Sequence, residues 1–116
     1  MTTHHADTVS AFRALDQTDL PPIEALDGEK NQILWVLWIG STRLSTAAMT
    51  PGTVSAVLRD VFGINVSWQK VEAVLSKEKT TVAARKLRGR RAYQIMKAGT
   101  AEVAAASQTV LFVDPE

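Results

Sequence analysis

Cysteine is absent from the 116 residues of this chain, which removes disulfides, thiol nucleophiles, thiolate zinc sites and iron–sulfur clusters together. That fits a reducing compartment without demanding one. Histidine is almost absent. The two that exist, His4 and His5, sit in a polar N-terminal stretch, so the rest of the chain has no imidazole to act as general base or metal ligand. Two adjacent histidines in a tail fix no coordination geometry, and neither a metal nor a cofactor is expected. Neither common glycine-rich phosphate loop occurs. A catalytic site would have to combine scattered groups such as Asp60 or Glu72 with Lys70, and no constellation supports one, so the chain is not expected to be an enzyme. Long apolar runs are missing as well. The longest, Ile33 to Ile39, has seven residues, against the ~20 needed to cross a bilayer. The first residues carry no basic stretch ahead of an apolar run, so no secretory leader is expected. The expected location is cytoplasmic, with no membrane partner.

What is present is the composition of a folding domain: 46% hydrophobic and 22% charged residues, enough apolar surface for a single core. The net charge of +1 conceals a block pattern. Residues 1–29 set Arg13 against Asp7, Asp16, Asp19, Glu24, Asp27 and Glu29, a net −5. Residues 30–97 carry twelve lysines and arginines against Asp60, Glu72 and Glu78, a net +9, and the remainder adds −3. A basic middle between acidic ends suits a surface that meets a polyanion, although a merely solvated face would look similar.

Three segments follow from local signals. Residues 1–28 read as an acidic arm, partly disordered or docking, in which Val9, Phe12 and Leu15 recur at three-residue intervals and can form one short helix. Residues 29–107 read as the folded domain, and 108–116 as a tail. Glu29 to Ile39 reads as a first domain helix closed by Gly40. Ile33, Leu34, Val36 and Leu37 give it one apolar face, while Trp35, Trp38 and Ile39 make the other side apolar too. Such a helix must be buried all round. Thr50 and Pro51 are a helix start, with threonine at the N-cap and proline at the first position. Val54, Val57, Leu58, Val61 and Phe62 then trace the full amphipathic stripe, and Gly63 ends it. Ser67 is a second N-cap, and Trp68, Val71, Val74 and Leu75 mark the expected buried face of a third helix running to about Lys77. Beyond it, Thr80 to Leu87 and Arg91 to Met96 read as two short strands around Arg88, Gly89 and Arg90. Thr100 to Ala106 reads as a short helix and Thr109 to Val113 as a brief β-like run.

This order resembles the winged helix-turn-helix superfamily. The segment TPGTVSAVLRDVFGINVSWQKVEAVL (Thr50–Leu75) is similar to its helix-turn-helix, and RKLRGRRAYQIMKAGTAEV (Arg85–Val103) to its wing and closing helix. The implied fold is mainly α with a small β-hairpin, an α+β arrangement of a three-helix core, a two-stranded wing and a C-terminal helix. Gly63 must serve as the turn glycine, and the N-terminal arm has no counterpart in the family. The implied function is sequence-specific binding of double-stranded DNA by a transcriptional regulator, with the third helix in the major groove and the wing on the backbone. The implied contact set is Thr50, Thr53, Ser67, Gln69, Lys70, Ala73 and Lys77 on the helix-turn-helix, with Arg85, Lys86, Arg88, Arg90 and Arg91 on the wing.

The residues themselves support several of these roles. Gln69 can pair bidentately with adenine, and Lys70 can reach guanine or phosphate. Five wing cations in seven positions repel one another, so hairpin stability is not their purpose, and the arginine fork suits phosphate. The ordinary alternatives are a solvated helix face and a solvated basic loop. A rival function of another class is a protein-interaction module whose basic wing docks on an acidic partner. Trp35 and Trp38 read as core or interface in preference to a ligand pocket. With one side of the first helix turned to the core, Trp35, Trp38 and Ile39 need cover, either from the chain's own arm through Val9, Phe12 and Leu15 or from the same surface of a second copy. A homodimer seam with Phe12 and Leu15 of the arm wrapped over it is the expectation.

Overall fold

In a computed structural model, described for residues 2–15, 23, 26, 28–44, 48–78, 80–87 and 89–111, local signals place most of the elements. Helix α1 is Thr2–Arg13, α2 Glu29–Thr42, α3 Pro51–Phe62 and α4 Trp68–Ser76. Strands β1 (Val82–Leu87) and β2 (Arg90–Ile95) form a two-stranded antiparallel sheet, and α5 is Lys97–Leu111. The chain is therefore mainly helical with one hairpin, an α+β arrangement.

Capping explains the two central helices. The Thr50 hydroxyl accepts the Thr53 N–H at 3.3 Å with Pro51 in the first turn, satisfying one donor that the first turn leaves free. Gly63 closes α3 in the left-handed region, at φ 69° and ψ 22°, a conformation glycine adopts without a Cβ penalty. Its N–H donates to the Arg59 carbonyl at 3.2 Å, and that of Ile64 to the Leu58 carbonyl at 2.8 Å, the paired bonds of a glycine-terminated helix. Ser67 then caps α4 by accepting the Lys70 N–H at 3.2 Å. A buried bond from Ser55 Oγ to the Val66 carbonyl, 2.6 Å long, pins the α3–α4 turn to α3.

Helix α2 is the axis of the core. Ile33, Leu34, Trp35, Val36 and Ile39 are each fully buried, because α3, α4, α5 and β2 all pack on this one helix. The all-round burial that its sequence demands is met within a single chain. Of the residues expected at a dimer seam, Trp35, Ile39 and Phe12 are interior in the single chain, and Trp38 and Leu15 are partly buried against the same core. Trp35 packs edge-on to Phe62 of α3, with ring centroids 5.3 Å apart and planes at 89°, a favoured aromatic geometry.

The N-terminal segment contributes to this core. Helix α1 packs on α3, Val9 and Phe12 are buried in the cluster, and so are Ile23 and Leu26. The Arg13 guanidinium donates to the Asp60 carbonyl at 3.1 Å, tying the end of α1 to α3.

Four local expectations change. Gly40 does not end α2: the helix continues to Thr42 with its C-cap at Arg43. Gly40 is buried there, and packing overrides its ~1 kcal/mol helix penalty. Trp68 is 52% exposed. The core side of α4 is carried by Val71 and Leu75, and the first turn, where Trp68 sits, overhangs it. The last helix starts earlier and runs longer than expected, and Thr109 to Leu111 lie in it instead of a β-like run. Residues 112–116 are outside the described residues. Finally, β1 begins at Val82 and β2 at Arg90.

Candidate nucleic-acid interface

The outward side of α4 carries Gln69, Lys70, Ala73, Ser76 and Lys77, all exposed. Their spacing puts them opposite Val71 and Leu75, which are fully buried. Ser67 is exposed, but its hydroxyl oxygen is already engaged in the cap. Thr50 is half-buried. Thr53 is only 2% exposed, and its hydroxyl lies 3.0 Å from that of Thr50. Thr53 is therefore a capping residue inside the fold and not a contact residue, which corrects its expected role.

The hairpin sits beside α4. Its register pairs Ala84 with Tyr93, Arg85 with Ala92, Lys86 with Arg91 and Leu87 with Arg90. Side chains alternate faces along a strand, so Lys86 and Arg91 share the face of Tyr93, while Arg85 and Arg90 belong to the other. The wing cations thus divide between two faces. Gly89 turns the tip at φ 79°. Arg88 lies outside the described residues. Lys86 and Arg91, directly opposite each other, are a like-charge pair that weakens a hairpin by a few tenths of a kcal/mol to about 1 kcal/mol.

Several cations already have partners. Arg91 approaches Glu72 of α4, Nη1 to Oε2 at 3.6 Å. The buried Tyr93 hydroxyl donates to the same carboxylate oxygen at 3.2 Å. Interaction with the Tyr93 hydroxyl, and then the negative charge of Glu72, hold the Arg91 guanidinium above its usual pKa. Arg85 Nε donates to Gln94 Oε1 at 2.9 Å. Lys70 lies 3.7 Å from Glu29 at the start of α2. Lys77, Lys86 and Arg90 make no ion pair among the described residues. The cations of α4 and the hairpin are therefore not a uniform patch: Lys70 and Arg91 are offset by carboxylates, while Lys77, Lys86 and Arg90 stay open among the described residues.

Between the N-terminal turns of α3 and α4 and the start of β2 lies a cleft of about 440 Å³, lined by Thr50, Pro51, Gly52, Trp68, Glu72, Arg90 and Arg91. It joins the third helix of the domain to the hairpin. Sequence reasoning missed Trp68 here, because its spacing to Val71 and Leu75 fits a buried stripe as well as an overhang. The one signal against burial was its place in the first turn, next to the Ser67 cap. Glu72 and Tyr93 were missed as partners of Arg91, a contact between residues 19 apart in sequence that no local pattern encodes.

A further backbone link completes the surface. Met49 and Tyr93 form an antiparallel bridge, with Met49 N–H donating to the Tyr93 carbonyl at 3.0 Å and Tyr93 N–H to the Met49 carbonyl at 2.8 Å. The segment leading into α3 is thereby laid against β2.

Among the described residues no group of three His, Cys, Asp or Glu is close enough to hold a metal ion. The His4 and His5 side chains are outside what is described. No described helix is long and apolar enough to cross a membrane. No protein-family model, curated protein or solved structure matches this chain.

Proposed function

We propose that this protein binds double-stranded DNA as a winged helix-turn-helix regulator, with α4 in the major groove and the β1–β2 hairpin as the wing on the flanking backbone. The observation that carries the reading is the union of the exposed side of α4 with the hairpin through Glu72, Arg91 and Tyr93. A helix with Gln69, Lys70 and Lys77 outward is tied through Glu72 to a basic hairpin. The Met49–Tyr93 bridge adds support, because it lays the segment leading into α3 against the hairpin. Gln69 reads a base edge, while Lys77, Arg85, Lys86 and Arg90 meet phosphates.

The test is a titration against duplex DNA at several salt concentrations, with heparin as the competing polyanion. Four phosphate contacts give a fall of log K with log salt of slope about −3.6, at about −0.9 per contact. Arg90→Ala flattens that slope by about one unit. Absence of duplex binding at low salt refutes the reading and leaves docking on an acidic protein as its replacement.

A further inference from the structure

Trp68 and Met96 are the large hydrophobic side chains that stand exposed among the described residues. Trp68 borders a cleft between α3, α4 and the hairpin, with Arg90 and Arg91 on its rim. An indole left half in water costs the fold hydrophobic stabilisation, and among the described residues it makes no ring contact or side-chain hydrogen bond. An aromatic ring beside arginines in a concavity is what a stacked base with its phosphate requires. The volume, about 440 Å³, lies within the range of small-ligand sites, about 300–1,000 Å³.

The other groups in the cleft sharpen the ligand. Arg90 has no ion pair among the described residues and is free for a phosphate. Arg91 is engaged with Glu72 and holds that carboxylate in place through Oε2. Tyr93 donates to the same oxygen. Glu72 Oε1 has no hydrogen bond among the described residues, and the side chain is 34% exposed, so it offers an acceptor. A carboxylate acceptor selects a base that carries an amino donor and disfavours one that shows only carbonyls at that edge.

We infer that this cleft takes one unpaired nucleotide, with the base stacked on Trp68, its amino group donating to Glu72 Oε1, and its phosphate on Arg90. The inference deepens the DNA-binding reading and, for a nucleotide that is part of a polymer, rests on it. The protein then prefers duplexes that present a single-stranded end or a displaced base at the wing. The same chemistry is offered by a free mononucleotide, which the test separates.

The probes are a blunt duplex, the same duplex with a short overhang of adenines or of thymines, and adenosine monophosphate. Binding is read by anisotropy and by tryptophan fluorescence, and the difference between the wild type and Trp68→Phe isolates the signal of Trp68. The expected result is tighter binding of the adenine overhang than of the blunt duplex by about five- to a hundredfold, the range that stacking one base supplies, with Trp68 quenched. The thymine overhang gains less. Trp68→Ala brings the overhang-to-blunt ratio near one, and Trp68→Phe, which keeps an aromatic face, retains most of it. Equal binding of blunt and overhung duplexes by the wild type overturns the inference and leaves the DNA reading standing. Quenching by adenosine monophosphate with no duplex bound keeps the nucleotide cleft and overturns the DNA reading. Binding of none of the probes overturns both.

Discussion

Replacing Ser55 by alanine removes one hydroxyl and isolates what holds the α3–α4 turn against α3. Ser55 is 7% exposed and Val66 5%, and the bond between Ser55 Oγ and the Val66 carbonyl is 2.6 Å long. In the variant the carbonyl loses that donor in a site with little access to water, a cost of about 1–3 kcal/mol. Alanine is a better helix former than serine and returns up to about 0.7 kcal/mol. The net loss is about 1–2 kcal/mol, equivalent to a fall of roughly 4–8 °C in Tm for a chain of this size. Urea unfolding by circular dichroism measures it as a lower midpoint at unchanged slope, since the surface exposed on unfolding is the same. Ser76→Ala is the matched control, because that hydroxyl donates to the Ala73 carbonyl at 3.2 Å in an exposed position and its loss changes stability by less than about 0.5 kcal/mol. Equal midpoints for both variants would refute the claim that this bond holds the turn.

Other substitutions test other parts. Trp35→Ala empties the site against Phe62 and costs about 3–5 kcal/mol; sedimentation of the folded fraction stays unchanged, because the partner of this ring belongs to the same chain. A Cβ at position 99 clashes with the Thr81 carbonyl oxygen and lies 2.8 Å from Ile95 Cγ1, so Gly99→Ala forces α5 away from the β1 end, for a loss of about 1–3 kcal/mol in thermal melts despite the better helix propensity. Gln69→Ala weakens a preferred DNA site by ~1–3 kcal/mol and random duplex hardly at all in parallel titrations. Glu29→Gln releases Lys70 and raises affinity for duplex at low salt, an effect that shrinks as salt is added. Asp60 is held below its usual 3.8, chiefly by the hydrogen bond from Arg59, so its contribution to stability is present above pH 3.8 and is lost as pH falls through the lower folded value. Urea midpoints of Asp60→Asn and of the wild type therefore converge in acid.

The parts legible in the sequence are those whose signals are local. Thr50, Pro51, Gly63 and Ser67 each fix a helix end through bonds spanning three to six residues, and they bound α3 and α4 correctly. The hairpin is legible for the same reason, through Gly89 and the alternation around Tyr93. Packing is a different matter. The pattern of α2 demanded burial on every side but did not say by what, and a second copy answered the demand on paper as well as α3, α4, α5 and β2 do. Gly40 carried a valid stop signal that the surrounding contacts override. The exposed side of α4 followed from its period, whereas the pairing of Lys70 with Glu29 and of Arg91 with Glu72 depends on which elements lie side by side.

The bridge between Met49 and Tyr93 also has a bearing on how the chain folds. Its two hydrogen bonds close a loop that holds all of α3, the turn, α4 and β1. Closing so long a loop costs entropy that grows only logarithmically with its length, and the helices inside it shorten the path that has to be closed. The register of the hairpin joins residues close in sequence, whereas the pairing of its second strand with Met49 joins distant ones. Clipping the backbone anywhere between those two residues would leave both hydrogen bonds chemically intact while turning an intramolecular closure into the meeting of two fragments. Their reassembly would then become dependent on concentration.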